Sequence, residues 1–138
     1  MVAQLAREAG AHVIGTGRTA DREKALEFGV AEFVDLDNDT LEDVGEVDLV
    51  FDVIGGDIQK RSAGLIRAGG TLVSVVGPVA TPLAHGRAVD FVVESDRAQL
   101  GEIAQRVRDG RLQPNIGTVA TLEDAVAALN PTKRSTGK

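Results

Sequence analysis

The chain has 138 residues, of which 43% are hydrophobic and 26% charged, the size and balance of one ordinary globular domain with a single core. Its net charge of −6 argues against nonspecific attraction to nucleic acid or to an anionic membrane. With no Trp or Tyr and only four Phe, it also lacks stacking platforms for single-stranded nucleic acid.

Val2–Ala9 has helical spacing, with Val2, Leu5, Ala6 and Ala9 on one face, and Gly10 supplies the stop. A strand at His12–Thr16 then runs into Gly17–Arg18. A helix is expected over Asp21–Phe28 with Thr19 as N-cap, followed by a short strand at Glu32–Leu36 and an acidic loop or irregular turn at Asp37–Glu46. Val47–Ile54 is β-branched and almost continuously apolar, as expected of a parallel strand covered on both faces. Asp57–Arg67 reads as a helix with Ile58, Leu65 and Ile66 inward, and Gly69–Gly70 as the turn into a strand at Thr71–Val76. Beyond the loop Val79–Gly86, a strand is expected at Ala88–Val93. A helix capped by Asp96 follows, carrying Leu100, Ile103, Ala104 and Val107 on one stripe. Leu112–Val119 is extended but interrupted by Pro114 and Gly117. A last helix carries Leu122, Ala125, Val126 and Leu129, with Thr121 as N-cap and Asn130–Pro131 as stop, before a polar tail. Strands alternating with helices of about ten residues predict an α/β domain with a doubly wound, mostly parallel sheet.

In such a sheet, ligands bind beyond the carboxyl ends of the strands, where the strand order reverses. The strand ends Thr16–Arg18, Val53–Gly56 and Val76–Pro78 all carry glycine, which lets backbone approach a ligand closely. Arg18 is the sharpest candidate. A carboxylate at the end of the second strand accepts hydrogen bonds from a ribose 2′-hydroxyl, whereas a guanidinium accommodates a 2′-phosphate. Arg22 and Lys24 either reinforce that site or solvate a helix. Asp52 sits inside its strand and reads as structural, as does His12. His85 lies in a loop with no partner nearby in sequence, and no nucleophile–base pair or carboxylate dyad stands at diagnostic spacing.

The absence of Cys leaves no disulfide, no thiolate nucleophile and no Cys-containing zinc site. His12 and His85 fit no local metal-ligand spacing, so no metal is expected. No apolar run is long enough to cross a bilayer, and the amino terminus lacks the layout of a signal peptide. These features lead to the expectation of a cytoplasmic protein.

The ordered series VAQLAREAGAHVIGTGR, ALEFGVAEFVDL, VDLVFDVIGGD, LIRAGGTLVSVVG, FVVESDRAQLGEIAQRVRDGRLQPNIGTV and LEDAVAAL resembles the cofactor domain of medium-chain dehydrogenase/reductases. Within that superfamily it is most similar to the zinc-independent, quinone-oxidoreductase-like branch. The resemblance covers essentially residues 1–138. It implies an NADPH-dependent oxidoreductase that reduces quinones, enones or related electrophiles by hydride transfer. Thr16, Gly17 and Arg18 match the turn that faces the 2′-phosphate of NADP(H). Val53, Ile54 and Gly55, with Val76 and Gly77, match the turns along the ribose and nicotinamide. No residue is assigned a catalytic role.

The chain departs from that family in lacking the amino-terminal catalytic domain, the first strand of the Rossmann-like sheet and its glycine-rich turn. It also stops after Thr136–Lys138, where family members continue into another strand. It therefore reads as a partial dinucleotide-binding domain, truncated at both ends and inactive or weakly active alone. In the strand order 3-2-1-4-5-6 the absent first strand lies between His12–Thr16 and Val47–Val53. A central gap of buried, unpaired backbone groups would cost about 1–3 kcal/mol each, so the gap is expected to close. The routes are direct pairing of the flanking strands, a strand donated by another chain, or association through exposed edges. A homo-oligomer follows, a dimer through Ala88–Val93 or a swapped strand. Two other readings stay open: a noncatalytic nucleotide-binding or oligomerisation module, and an S-adenosylmethionine-dependent methyltransferase. Arg18 counts against the latter, which needs an acidic residue there.

Overall fold

A computed structural model describes residues 1–79, 83–90, 93–117 and 119–129. Helix α1 (Val2–Glu8) leads to β1 (Ile14–Gly17), a 3-10 turn (Thr19–Asp21), α2 (Arg22–Glu27) and β2 (Glu32–Asp35). A second 3-10 turn (Leu41–Val44) connects to β3 (Val47–Asp52), α3 (Gly56–Ala63), β4 (Ile66–Ser74) and β5 (Arg87–Val89). Helices α4 (Arg97–Arg108) and α5 (Ala125–Leu129) follow. The strand pairs are all parallel, in the two orders β1-β2 and β3-β4-β5. The α/β class and the parallel sheet are as the sequence predicts.

Several boundaries differ for physical reasons. The expected helix Asp21–Phe28 is preceded by a 3-10 turn, and Thr19 is not its N-cap. The Thr19 hydroxyl instead donates to the Asp35 carboxylate. The helix expected to reach Arg67 ends at Ala63, because Ile66 already pairs with Val47 and is 4% exposed as part of β4. Gly69 and Gly70 are not a turn between elements. They form a bulge inside β4, where the register jumps from Val47↔Ile66 to Leu49↔Thr71. A Cβ on Gly70 would lie 2.9 Å from the Asp48 carbonyl oxygen, so only glycine lets the bulge close on β3.

Other expectations meet less structure than the pattern suggests. Of Ala88–Val93, residues 88 and 89 are in β5 and residues 91–92 lie outside the described set. Residues 80–82 of the preceding loop also lie outside it. Leu112–Val119 contains no strand among its described residues, and residues 118 and 130–138, with the expected helix stop and tail, lie outside. Asp96 does cap α4: its Oδ1 accepts from the Ala98 and Gln99 amides at 2.8 and 3.0 Å. Thr121 precedes α5, and its Oγ1 accepts from the Asp124 amide at 3.3 Å. Among the described residues no helix is long and apolar enough to cross a membrane.

The core is divided as the sheet is. Val30 and Phe33 pack on β1–β2, while Ile66 and Leu72 fill the other half, with Leu41 and Leu112 also buried. In α1 the buried side chain is Gln4, whose Nε2 donates to the Gln113 carbonyl at 2.9 Å and whose Oε1 accepts from the Gln113 amide at 2.8 Å. Glu8 adds ion pairs to Arg106 and Arg111 at 3.1 and 2.6 Å. The first helix is thereby tied to α4 and the segment after it.

The strands form two sheets, in the orders β1-β2 and β3-β4-β5, with no pairing between them. Direct pairing of β1 with β3, one of the three expected closures, does not occur. The link between the two sheets is itself packed down. Leu41 is 2% exposed, and Glu42 is gripped by Arg61 of α3 through Nε and Nη2 at 2.7 and 2.8 Å. That grip holds the Glu42 carboxyl down to about 2. Nor is β3 covered on both faces as its composition suggests, since Leu49 is 57% and Phe51 38% exposed.

Open edges of this kind recruit further strands. Sedimentation velocity over a range of concentrations is expected to show self-association. A monodisperse, well-folded monomer throughout would contradict it.

Candidate functional site

The carboxyl ends of the strands carry the residues singled out in the sequence. At β1, Thr16 is exposed and Gly17 half-buried. A Cβ on Gly17 would lie 3.1 Å from the Phe33 ring, a tight contact. Arg18 follows in extended backbone (φ −92°, ψ 160°), and its amide donates to Asp21 Oδ2 at 3.3 Å. The Arg18 side chain is exposed, with no carboxylate partner among the described residues. Its neighbouring cations are engaged elsewhere. Arg22 pairs with Asp39 at 3.1 Å and lies 5.2 Å above the Phe33 ring, and Lys24 lies 5.6 Å above Phe28. His12 pairs with Glu32 at 2.6 Å beside the start of β1, a structural position. His85 is exposed.

The loop carrying Arg18 is held by a buried carboxylate that the sequence reading passed over. Asp35, 3% exposed at the end of β2, accepts from the Thr19 hydroxyl, from Asn38 Nδ2 at 2.9 Å and from the Asp37 amide at 3.1 Å. The Thr19 bond comes first among the causes that hold its carboxyl below the usual carboxylate range.

The ends of β3 and β4 are brought together. Gly55 is buried with φ +77° and ψ −168°, a region essentially reserved for glycine. A Cβ there would also lie 3.0 Å from Val76 Cγ1, so the two turns touch at this point. Val53 and Ile54 are 60% and 47% exposed, and Val76 54%. A cavity of about 380 Å³ opens at the end of β4, lined by Ser74, Val75, Val76, Gly77, Asp90 and Val93 among others. Of the eight predicted residues, Val53, Ile54, Gly55, Val76 and Gly77 thus share one face. Thr16, Gly17 and Arg18 stand at the end of the separate β1–β2 sheet.

Beneath the paired turns lies Asp52, 6% exposed. Its Oδ1 accepts from the Ile54 and Gly55 amides at 3.0 and 2.8 Å, and its Oδ2 from Gln59 Nε2 and Ser74 Oγ, both at 2.8 Å. Burial pushes its carboxyl up, but the hydrogen bonds from Gly55, Ile54, Gln59 and Ser74 outweigh that and hold it below the usual carboxylate range. It is therefore ionised at neutral pH. Its structural reading from sequence stands. Its partners Gln59 and Ser74 were not singled out, and an aspartate ending a strand three residues before a glycine was the available signal.

The glycine requirement at the β3 turn is directly measurable. Gly55→Ala is expected to lower unfolding stability by about 1–3 kcal/mol in urea titration, through backbone strain and the Val76 contact together. A stability within about 0.5 kcal/mol of the parent, the range of neutral surface changes, would contradict the geometry.

Among known families, the one described as zinc-binding dehydrogenase matches residues 28–138. The quinone oxidoreductase from Coxiella burnetii superposes with a TM-score of 0.77 at 24% identity, over 93% of this chain and 43% of its own. An alcohol dehydrogenase superfamily protein from Novosphingobium aromaticivorans gives 0.73 at 25% identity, over 97% and 49%. The Escherichia coli quinone oxidoreductase, solved in complex with NADPH, gives 0.64 at 19% identity, over 83% and 43%. The chain spans less than half the length of each of these structures. No curated protein matches it in sequence. The zinc of the family's description finds no fit here: the chain has no Cys and two His, and no group of three potential ligands exists among the described residues. The matched span and the Rossmann-like parallel sheet together place the chain in the zinc-binding dehydrogenase family of the medium-chain dehydrogenase/reductase superfamily, as a cofactor-domain member.

Proposed function

We propose that this chain is the nicotinamide-nucleotide-binding part of an NADPH-dependent oxidoreductase of the quinone- and enone-reducing, zinc-independent kind. The observation that carries the reading is Arg18: an exposed cation without a carboxylate partner among the described residues, at the carboxyl end of β1. In the strand order of a dinucleotide-binding sheet, that position faces the adenosine ribose. A guanidinium there favours a 2′-phosphate by charge-assisted, forked hydrogen bonds. NADPH in a quinone oxidoreductase of the same fold supports the assignment.

In this reading, Thr16 and Gly17 carry Arg18 to the 2′-phosphate, and Val53–Gly55 with Val76 and Gly77 form the wall along the ribose and nicotinamide. When bound, the nucleotide supplies the hydride. The residues of this chain bind and orient it, and the exposed apolar side chains Val53, Ile54 and Val76 shield one side from water. In such a sheet a further parallel strand lies between the positions of β1 and β3. A second reading, a noncatalytic oligomerisation module, is favoured by the open edges and by the exposed apolar residues of β3.

Titration of the purified chain with NADPH, NADH and S-adenosylmethionine separates the readings. NADPH is expected to bind more tightly than NADH. Arg18→Ala should weaken NADPH by about 10- to 100-fold, the loss of a charge-assisted contact of about 1.5–3 kcal/mol, while changing NADH binding by less than about twofold. Equal loss of both nucleotides would overturn the role of Arg18. Binding of S-adenosylmethionine alone would overturn the oxidoreductase reading, and a stable oligomer that binds no nucleotide would favour the second one.

A further inference from the structure

Asp52 is charged, buried and has no direct part in the proposed chemistry, yet each of its oxygens accepts two hydrogen bonds. Two of the donors are backbone amides of the turn after β3, Ile54 and Gly55. A third is the Ser74 hydroxyl at the end of β4. Ser74 Oγ in turn accepts from Gln59 Nε2 at 3.1 Å and from the Val76 amide at 3.3 Å. The backbone carbonyl of Asp52 accepts from the Val75 amide at 3.1 Å, continuing the β3–β4 ladder past its last residue pair. Gln59, on α3 and 8% exposed, bridges both acceptors from below.

We infer that Asp52, through Ser74 and Gln59, is a positioning residue that makes the Val53–Gly55 and Val75–Gly77 turns one unit and so presents them to the nucleotide in fixed relation. The inference rests on the reading of those turns as the cofactor wall. The chemistry calls for a carboxylate. All four of its partners donate, so the amide nitrogen of an asparagine would face donors where Asp52 offers an acceptor. Glutamine suits position 59 for the complementary reason, since one NH2 group supplies two protons to two acceptors. Among the described residues no buried side-chain polar atom lacks a partner.

The test is amide hydrogen exchange on the parent chain, Asp52→Asn and Ser74→Ala, with NADPH affinity measured on each. Asp52→Asn should speed exchange at Ile54, Gly55 and Val76 together, leave the β1–β2 amides unchanged, and weaken NADPH about tenfold. Ser74→Ala, placed on β4, should transmit to the other turn. Exchange at Ile54 and Gly55 should rise as well as at Val76, with NADPH weakened about threefold, less than one power of ten. Unchanged exchange at Ile54 and Gly55 in Ser74→Ala would overturn the coupling. Looser turns with unaltered NADPH affinity would overturn the positioning role. If Asp52→Asn does not fold, Ser74→Ala carries the same decision. If the parent chain binds no NADPH, the proposed function fails, while the exchange arm still decides whether the two turns form one unit.

Discussion

A parallel sheet is a ladder in which every interior strand needs a neighbour on both sides, and this chain satisfies that requirement in two separate pieces. The pairs β1–β2 and β3–β4–β5 are each parallel, with one bulge between β3 and β4, and β1 and β3 keep one edge each without a partner. The apolar run of β3 is half uncovered, and Leu100, Val126 and Leu129 on the last helices are 66%, 75% and 80% exposed. Coverage of this apolar surface by a partner would stabilise the chain by about 25 cal/mol per Å².

The chemistry of the strand ends is held by short-range polar contacts and not by the sheet as a whole. Two buried aspartates do equivalent work. Asp35 closes the end of β2 over Thr19 and thereby fixes the loop that starts at Arg18. Asp52 closes the end of β3 over Ile54 and Gly55 and reaches across to Ser74. In both cases the hydrogen bonds outweigh the burial penalty and keep the carboxylate ionised. A charge that is well solvated by its own turn is a local device, independent of how the strand edges are paired.

The legible part of the sequence was that governed by local rules. A β-branched run marked β3, Asp96 marked the start of α4, and glycine marked the turn at Gly55, where backbone conformation excludes other residues. The bulge at Gly69–Gly70 was misread as a turn because two glycines look the same in either setting. Only the pairing of Ile66 with Val47 distinguishes them, and that is a tertiary fact. The helix expected to reach Arg67 failed for the same reason. Exposure of Leu49 and Phe51 was not legible because an apolar strand reports what it can bury, not whether a neighbour is present. Gln59 and Ser74 gave no sequence signal of their own. Their role depends on α3 and β4 converging on Asp52.

The central claim is that the ends of β1, β3 and β4 act as one nucleotide-binding edge despite the break between their sheets. Amide chemical-shift mapping during a titration with NADPH tests it most directly. The account predicts that Gly17 and Arg18, Ile54 and Gly55, and Val76 and Gly77 shift together along a single saturable isotherm. Shifts confined to one of the two sheets, or different apparent affinities for the two groups of amides, would contradict it.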